Sequence, residues 1–413
     1  MSILNNFLFI IIVKKAYPMH MQFSEYSQNN YFFSQPHQPF FVLAFVNAIA
    51  VMFIFLLDFK GMIHMPISAS NFHAYGFIYL LFTPAFFGFL FTTFPRFSST
   101  PAIEKKVYIR VFGFYYIGSV LFVLGSIVSP FLYAVGMIVL SIGHTLGYLI
   151  LKNIYTITTL EDKHDLYWIK LAMFMGVVSH YIFVVGELFL PTLVGFSTEI
   201  ATYLYLFLLS FAVAQRMVPF FSHSMTEKNT SLLKQIWVLL LLHILLEGLK
   251  ANSSFFIDFA IAYLVAKELL RWSLPFPKDN PLLWILHISV YWVPVAFILS
   301  GTVNLISLVS DVYFLALDVH AILLGFVLTI LIGFGTRVTL GHSGNNMSAD
   351  KWTVALFLWT QVVVVLRILT SFAAAFGLNF RILFDITALT WLLLFTAWSV
   401  RFLAVLVKGK KLT

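Results

Sequence analysis

The 413-residue chain contains no cysteine. That excludes disulfides, thiolate-held iron–sulfur clusters and covalent attachment of a c-type haem. Charge is also scarce: Asp, Glu, Lys and Arg make up 10% of the residues, where a soluble domain carries about a quarter. A chain so poor in charge, 61% hydrophobic and with a mean hydropathy of +0.93, is an integral membrane protein. The sequence shows no soluble domain, no long linker and no internal repeat.

Apolar runs are what the chain has in abundance. A membrane-spanning helix needs about 17–25 such residues. Twelve runs qualify, at roughly 41–57, 76–94, 110–128, 131–151, 168–190, 199–219, 232–250, 254–271, 282–304, 312–335, 353–375 and 383–407. Lipid offers a lone strand no partner for its backbone, so runs of this kind are helices. The sequence therefore predicts an all-α protein. A twelve-helix membrane domain covers 41–407, with a segment 1–40 before it and a basic tail 408–413 after it.

The formal net charge of +8 follows from topology and does not imply nucleic-acid binding. Arg96, Lys105, Lys106, Lys152, Lys163, Lys228, Lys278, Lys351 and Lys408 are among the many cations flanking loops that follow even-numbered runs, or the C-terminus. Loops after odd-numbered runs hold only Lys60, Lys250 and Arg381. By the positive-inside rule both termini are cytoplasmic. Phe7–Val13 is apolar but too short to span, and Lys14 and Lys15 follow it, the reverse of a signal peptide. Residues 1–20 read equally as a surface-lying segment or as an over-long start ahead of Met19 or Met21.

Without thiolates, a metal must be held by histidine, methionine, tyrosine or carboxylate, and the chain has 12 histidines. Six fall inside apolar runs or at the opening of one: His73, His144, His180, His243, His287 and His320. A single membrane histidine is most simply a hydrogen-bonding residue between helices. Six of them, with no cysteine, direct attention to imidazole ligands for haem iron or copper. The densest segment is Ala316–Asn346, where His320 opens a long apolar run that ends in Arg337 and His342. His73 and His320 enter from the same face and pair as ligands of one cofactor near the outer surface. His287 and His342 gather at the inner face, with Arg337 and Arg216 as guanidinium partners suited to carboxylates such as haem propionates. His180 and His243 stand in reserve at mid-depth. Arg367, within the eleventh run, needs a carboxylate or a wet cavity, and Asp318 and Asp385 are the acids on offer.

Several of these stretches resemble the NnrS family of haem- and copper-containing membrane proteins linked to nitric oxide and denitrification. Phe72-His73-Ala74-Tyr75 followed by Gly88-Phe89-Leu90-Phe91-Thr92-Thr93-Phe94-Pro95 is similar to its second-helix signature. Gln215-Arg216-Met217-Val218-Pro219-Phe220 and Trp284-Ile285-Leu286-His287 match two further segments. Thr336-Arg337-Val338-Thr339-Leu340-Gly341-His342-Ser343-Gly344 resembles the family's Thr-Arg-x-x-Leu-Gly-His-Thr-Gly loop, the most specific of the set. The resemblance implies twelve helices in the inner (cytoplasmic) membrane, haem b and copper, and a role in handling nitric oxide or another small gas. Where the family carries a second histidine and a glutamate, this chain has Tyr75 and Gly76, which removes two residues from the implied copper set.

Two other classes share this architecture. Twelve helices with basic inner loops also describe a secondary transporter, but Glu187, Glu247 and Asp318 are too scattered for paired proton-coupling carboxylates. An accessory factor that inserts or protects the haem-copper centre of another enzyme is the second. The aromatic share of 18% reads as lipid packing and interfacial belts. On the predicted topology, reporter fusions placed after Lys60 and after Lys163 report opposite sides of the membrane; the same side for both refutes it.

Overall fold

The computed structural model describes residues 31–249, 252–275, 280–310 and 312–412, and no residue among them lies in a strand. The N-terminal expectations for residues 1–20 lie outside the described residues, as do Lys250 and Lys278. After a short 3₁₀ turn at Tyr31–Phe33 come α1 (His37–Phe59), α2 (Ala69–Phe97), α3 (Lys105–Val128), α4 (Pro130–Ile157), α5 (His164–Leu188) and α6 (Thr192–Phe221). They are followed by α7 (Leu232–Gly248), α8 (Phe255–Trp272), α9 (Pro281–Val309), α10 (Leu317–His342), α11 (Lys351–Ala375) and α12 (Phe380–Lys408). Ten of these helices are long and apolar enough to cross a membrane. The others are α7, of 17 residues, and α8, which carries Asp258, Lys267, Glu268 and Arg271.

Three helices form the centre. The apolar windows of α2, α6 and α10 are 100%, 72% and 78% buried, whereas no other spanning helix exceeds 56%. Each of the three touches the other two, and the remaining helices surround them, α12 packing back against α1. The central helices share an irregularity: each is interrupted by a π segment, at Gly76–Phe82, Ile200–Phe207 and Ala321–Leu328. A π turn holds one residue more than an α turn and shifts the hydrogen-bond ladder from i−4 to i−5. Side chains engage the disturbed ladder. Pro84 has no N–H to offer the Leu80 carbonyl, and Asn47 of α1 supplies that hydrogen at 2.9 Å while also donating to Ser119 of α3. The Thr83 and Thr329 hydroxyls each donate to the carbonyl five residues back, Ile78 and Leu324.

The central helices also end alike. The Ser98, Ser222 and Ser343 hydroxyls donate to Phe94, Val218 and Thr339, each at 2.7 Å. The next residue has positive φ in every case: Ser99 (51°), His223 (54°) and Gly344 (65°). The residue after that donates its N–H five positions back, Thr100 to Pro95, Ser224 to Pro219 and Asn345 to Leu340. This is the Schellman closure, used three times at intervals of four helices. The fold thus repeats a four-helix unit as α1–α4, α5–α8 and α9–α12, with the second helix of each unit at the centre. No repeat was expected from the sequence, because what recurs is hydrogen-bond geometry: the serine is common to the three closures, but the residue with positive φ and the acceptors differ.

The outer helices pack through small residues. A Cβ on Gly125 would lie 2.2 Å from the Tyr133 nitrogen, and one on Gly136 would lie 2.5 Å from that of Phe122. Hence α3 and α4 meet backbone to backbone, the mode of close approach that lipid-embedded helices favour. Gly125→Leu forces them apart, and an overpacking cost of about 1–3 kcal/mol will show as a lower melting temperature in detergent. Asn47→Leu leaves the Leu80 carbonyl without a donor at about 1–3 kcal/mol. A melting temperature unchanged from wild type would mean that this bond contributes nothing.

Candidate functional site

The first turn of α2 is set by Ser68, whose hydroxyl accepts the Asn71 N–H at 3.3 Å. That start places His73 on the wall of a cavity of about 240 Å³ between α1, α2, α6, α10, α11 and α12. His320 lies opposite, the last residue of α10 before its π segment. The two imidazole centroids are 6.1 Å apart with the rings inclined at 33°. Phe55 and Phe77 pack on His73 at 4.5 and 4.7 Å, and Phe82, Leu323, Leu324 and Trp391 continue an apolar wall.

The hydrogen bonds decide which nitrogens are available. His320 Nδ1 lies 2.7 Å from the Ala316 carbonyl. A carbonyl only accepts, so Nδ1 carries the proton and Nε2 presents its lone pair. Arg367 Nη2 is 3.2 Å from the same Nδ1, but two donors do not bond, so that contact is one of position. Arg367 gives its hydrogens instead to the Leu315 carbonyl (2.9 Å) and the Ser371 hydroxyl (2.5 Å). His73 Nδ1 is buried with no hydrogen-bond partner among the described residues. The cavity therefore has one imidazole held by the backbone, one held only by packing, and a guanidinium at its edge. An ion pair was expected for Arg367; among the described residues no carboxylate lies within ion-pair distance of it, and Asp385 pairs with Lys60 at 2.5 Å.

The residues expected at the opposite end have separate partners. His287 is fully buried, its Nε2 2.8 Å from the Ser222 hydroxyl. His342 has His37 as its imidazole neighbour, with centroids 5.1 Å apart. Sequence reasoning passed over His37 because it lies just ahead of the first apolar run; in the structure it opens α1 and is 2% exposed. The Arg216 guanidinium is committed to Asp165 at 3.0 Å and lies over Phe97. Arg337 lies 4.0 Å over the Phe221 ring, with a buried Nε that has no partner.

At mid-depth neither His180 nor His243 lines the cavity. His180 is fully buried between the Tyr75 hydroxyl (2.6 Å from Nε2) and His144 (Nδ1 to Nδ1, 3.1 Å), and stacks on Tyr79. Tyr75 thus faces away from His73, as their spacing of two on a helix requires. His243 lies with Nδ1 2.8 Å from Asp258, both fully buried. Sequence reasoning missed Asp258 and His144 as partners, since neither belongs to a recognisable motif.

No three or more His, Asp or Glu side chains among the described residues are grouped so as to hold a metal ion on their own. The cavity instead offers two imidazoles. Metal–imidazole bonds of about 2.0–2.1 Å, with roughly 1.1 Å from nitrogen to ring centre, put the centroids of two opposed ligands about 6.3 Å apart. The observed 6.1 Å fits such a pair.

No curated protein matches the chain. The profile of the NnrS protein family, whose members are linked to the nitric oxide response, matches residues 31–410, nearly the whole length. With its helical, multi-pass membrane architecture and that coverage, the chain belongs to the NnrS family.

Proposed function

We propose that the protein is a b-type haem protein of the inner membrane that acts in the nitric oxide response, with His73 and His320 as the side chains that would hold the haem. The observation that carries this is the 6.1 Å spacing of two imidazoles across an apolar cavity. With α7 and α8 as the remaining crossings, the chain has twelve spans and cytoplasmic termini, and the cavity lies in the outer half of the membrane. When bound, haem would supply an iron centre able to take up nitric oxide. His320 is fixed by its Nδ1–H bond to the Ala316 carbonyl, the kind of outer contact that orients a ligating histidine. His73 Nδ1 has no such anchor among the described residues, so this imidazole is held only by packing and would be the freer of the two to move. Arg367 places a positive charge beside His320, where a carboxylate of the cofactor can be met.

A copper ion is less well served. Among the described residues the cavity has no third imidazole, thiolate or carboxylate in its lining, and tightly held copper takes a richer donor set. The two imidazoles suit an iron whose remaining ligands come from a porphyrin.

Anaerobically purified protein from haem-replete cells will give a protohaem pyridine haemochrome, whereas a colourless, metal-free preparation refutes the reading. His320→Ala will lose most of the haem. His73→Ala will retain it in a five-coordinate, high-spin form that binds nitric oxide faster than wild type. Unaltered spectra in both variants would place the haem elsewhere, and His37 and His342 would be the next pair to substitute. In cells, a deletion strain exposed to a nitric oxide donor will be rescued by wild type and not by His320→Ala. Equal growth of all strains argues for a transporter or an accessory factor instead.

A further inference from the structure

The repeated four-helix unit places two arginines in equivalent positions with different partners. Arg216 and Arg337 each stand six residues before the serine that closes their helix, Ser222 in α6 and Ser343 in α10. Each guanidinium lies over the aromatic ring just ahead of the closing serine of the unit before. Arg216 is 4.8 Å from the centre of Phe97, and Arg337 is 4.0 Å from that of Phe221. Each also reaches the second residue of its own unit's first helix, Asp165 in α5 and Leu282 in α9. They are one position in two copies of a seam between units.

The copies differ in charge. In the first, Arg216 Nη1 meets Asp165 Oδ2 at 3.0 Å, and Lys228 takes the other oxygen at 2.8 Å. That seam is closed. In the second, leucine stands where the acid was. Half-buried Arg337 offers Nη1 to the Leu282 carbonyl at 3.5 Å, the outer limit of a hydrogen bond. Its Nε is buried without an acceptor among the described residues. Nη2, on the same edge of the fork as Nε, has no acceptor among them either, and is not sealed from the surface. No acid among the described residues lies within ion-pair distance of Arg337. A partly desolvated cation is costly until an anion compensates it.

A cofactor in the cavity cannot supply that anion. Arg337 lies 17 residues after His320 on α10, about 25 Å along the helix axis. It stands five residues before the end of α10 and beside the start of α9. That is the end of the bundle which the positive-inside rule assigns to the cytoplasm, level with lipid headgroups. Phe221 covers one face of the guanidinium, so an anion meets it edge-on, where Nε–H and Nη2–H can serve two oxygens of a phosphate. Basic sites between helices at this surface recognise anionic headgroups. We propose that Arg337 holds a phosphate group in the seam of α6, α9 and α10, in the place that Asp165 fills in the preceding seam. The phosphate belongs to an anionic phospholipid of the inner leaflet or is free in solution; both present the same oxygens. Nothing in this site depends on haem.

The test uses full-length protein purified in detergent and stripped of lipid. It is titrated with phosphatidylglycerol, phosphatidylcholine or inorganic phosphate, with bound lipid read by native mass spectrometry and stability by thermal unfolding. Phosphatidylglycerol will raise the wild-type melting temperature by roughly 2 °C or more. Arg337→Gln will bind it about tenfold more weakly. Leu282→Asp restores the acid of the preceding seam, and will lose the lipid's effect while melting no lower than lipid-free wild type. Should Arg337→Gln fail to fold, Leu282→Asp carries the test with the arginine in place. Stabilisation by inorganic phosphate as well as by phosphatidylglycerol supports a site for phosphate from either source; stabilisation by phosphatidylglycerol alone assigns it to lipid. Equal effects of phosphatidylglycerol and phosphatidylcholine, or equal retention in wild type, Arg337→Gln and Leu282→Asp, overturn the proposal. Asp279, outside the described residues, precedes α9 in the sequence. Asp279→Asn will leave phosphatidylglycerol retention unchanged. If it destabilises the lipid-free protein as much as Arg337→Gln does, the chain supplies its own anion and the proposal fails.

Discussion

No backbone carbonyl inside a membrane can rely on water, and that constraint shapes the centre of this protein. The three buried helices each break the α ladder once, and side chains take up bonds that the breaks disturb. Asn47 reaches across from α1 to the Leu80 carbonyl, and Thr83 and Thr329 serve the carbonyls five residues back. A π segment exposed to lipid would have no such help. That places these segments where α2, α6 and α10 meet, and it sets the surrounding helices around them.

The residue immediately before each π segment is titratable. Tyr75, Glu199 and His320 hold this place in the three units, each 23 positions before the serine that closes its helix. Their surroundings differ. Tyr75 bonds His180, which meets His144, and His320 faces His73 across the cavity, whereas Glu199 keeps a buried carboxylate oxygen without a partner among the described residues. The three units share one backbone geometry, and the residues placed on it differ.

Much of the fold was legible because hydropathy measures the solvent directly. Every expected apolar run coincides with a helix, and α7 and α8 stand apart only by length or charge. The cavity pair was legible for a related reason: His73 and His320 begin helices that enter from one face, so depth alone brought them level. Lateral position was not legible. His342 lies beside His37 and His287 beside Ser222, although depth grouped His342 with His287. Depth says nothing about which of eleven others a helix chooses as neighbours. Partners such as Asp258 for His243 were hidden because a buried pair leaves no spacing signature when its members sit on different helices. Arg367 was legible in part: of the two settings expected for it the cavity is found, while hydroxyl and carbonyl acceptors of Ser371 and Leu315 serve it where a carboxylate was the other.

The π segment of α10 also bears on how this region tolerates change. Each residue turns an α-helix by about 100°, so the one additional residue within Ala321–Leu328 determines the bearing of His320 relative to everything that follows it, Arg337 and His342 included. Replacing one apolar residue there by another of like volume leaves that bearing intact. Removing a single residue would keep the helix continuous, every carbonyl paired and the hydropathy unchanged, yet would swing His320 out of line with His73. What inheritance must preserve between these residues is therefore their count, a quantity on which hydrophobicity and residue identity are both silent.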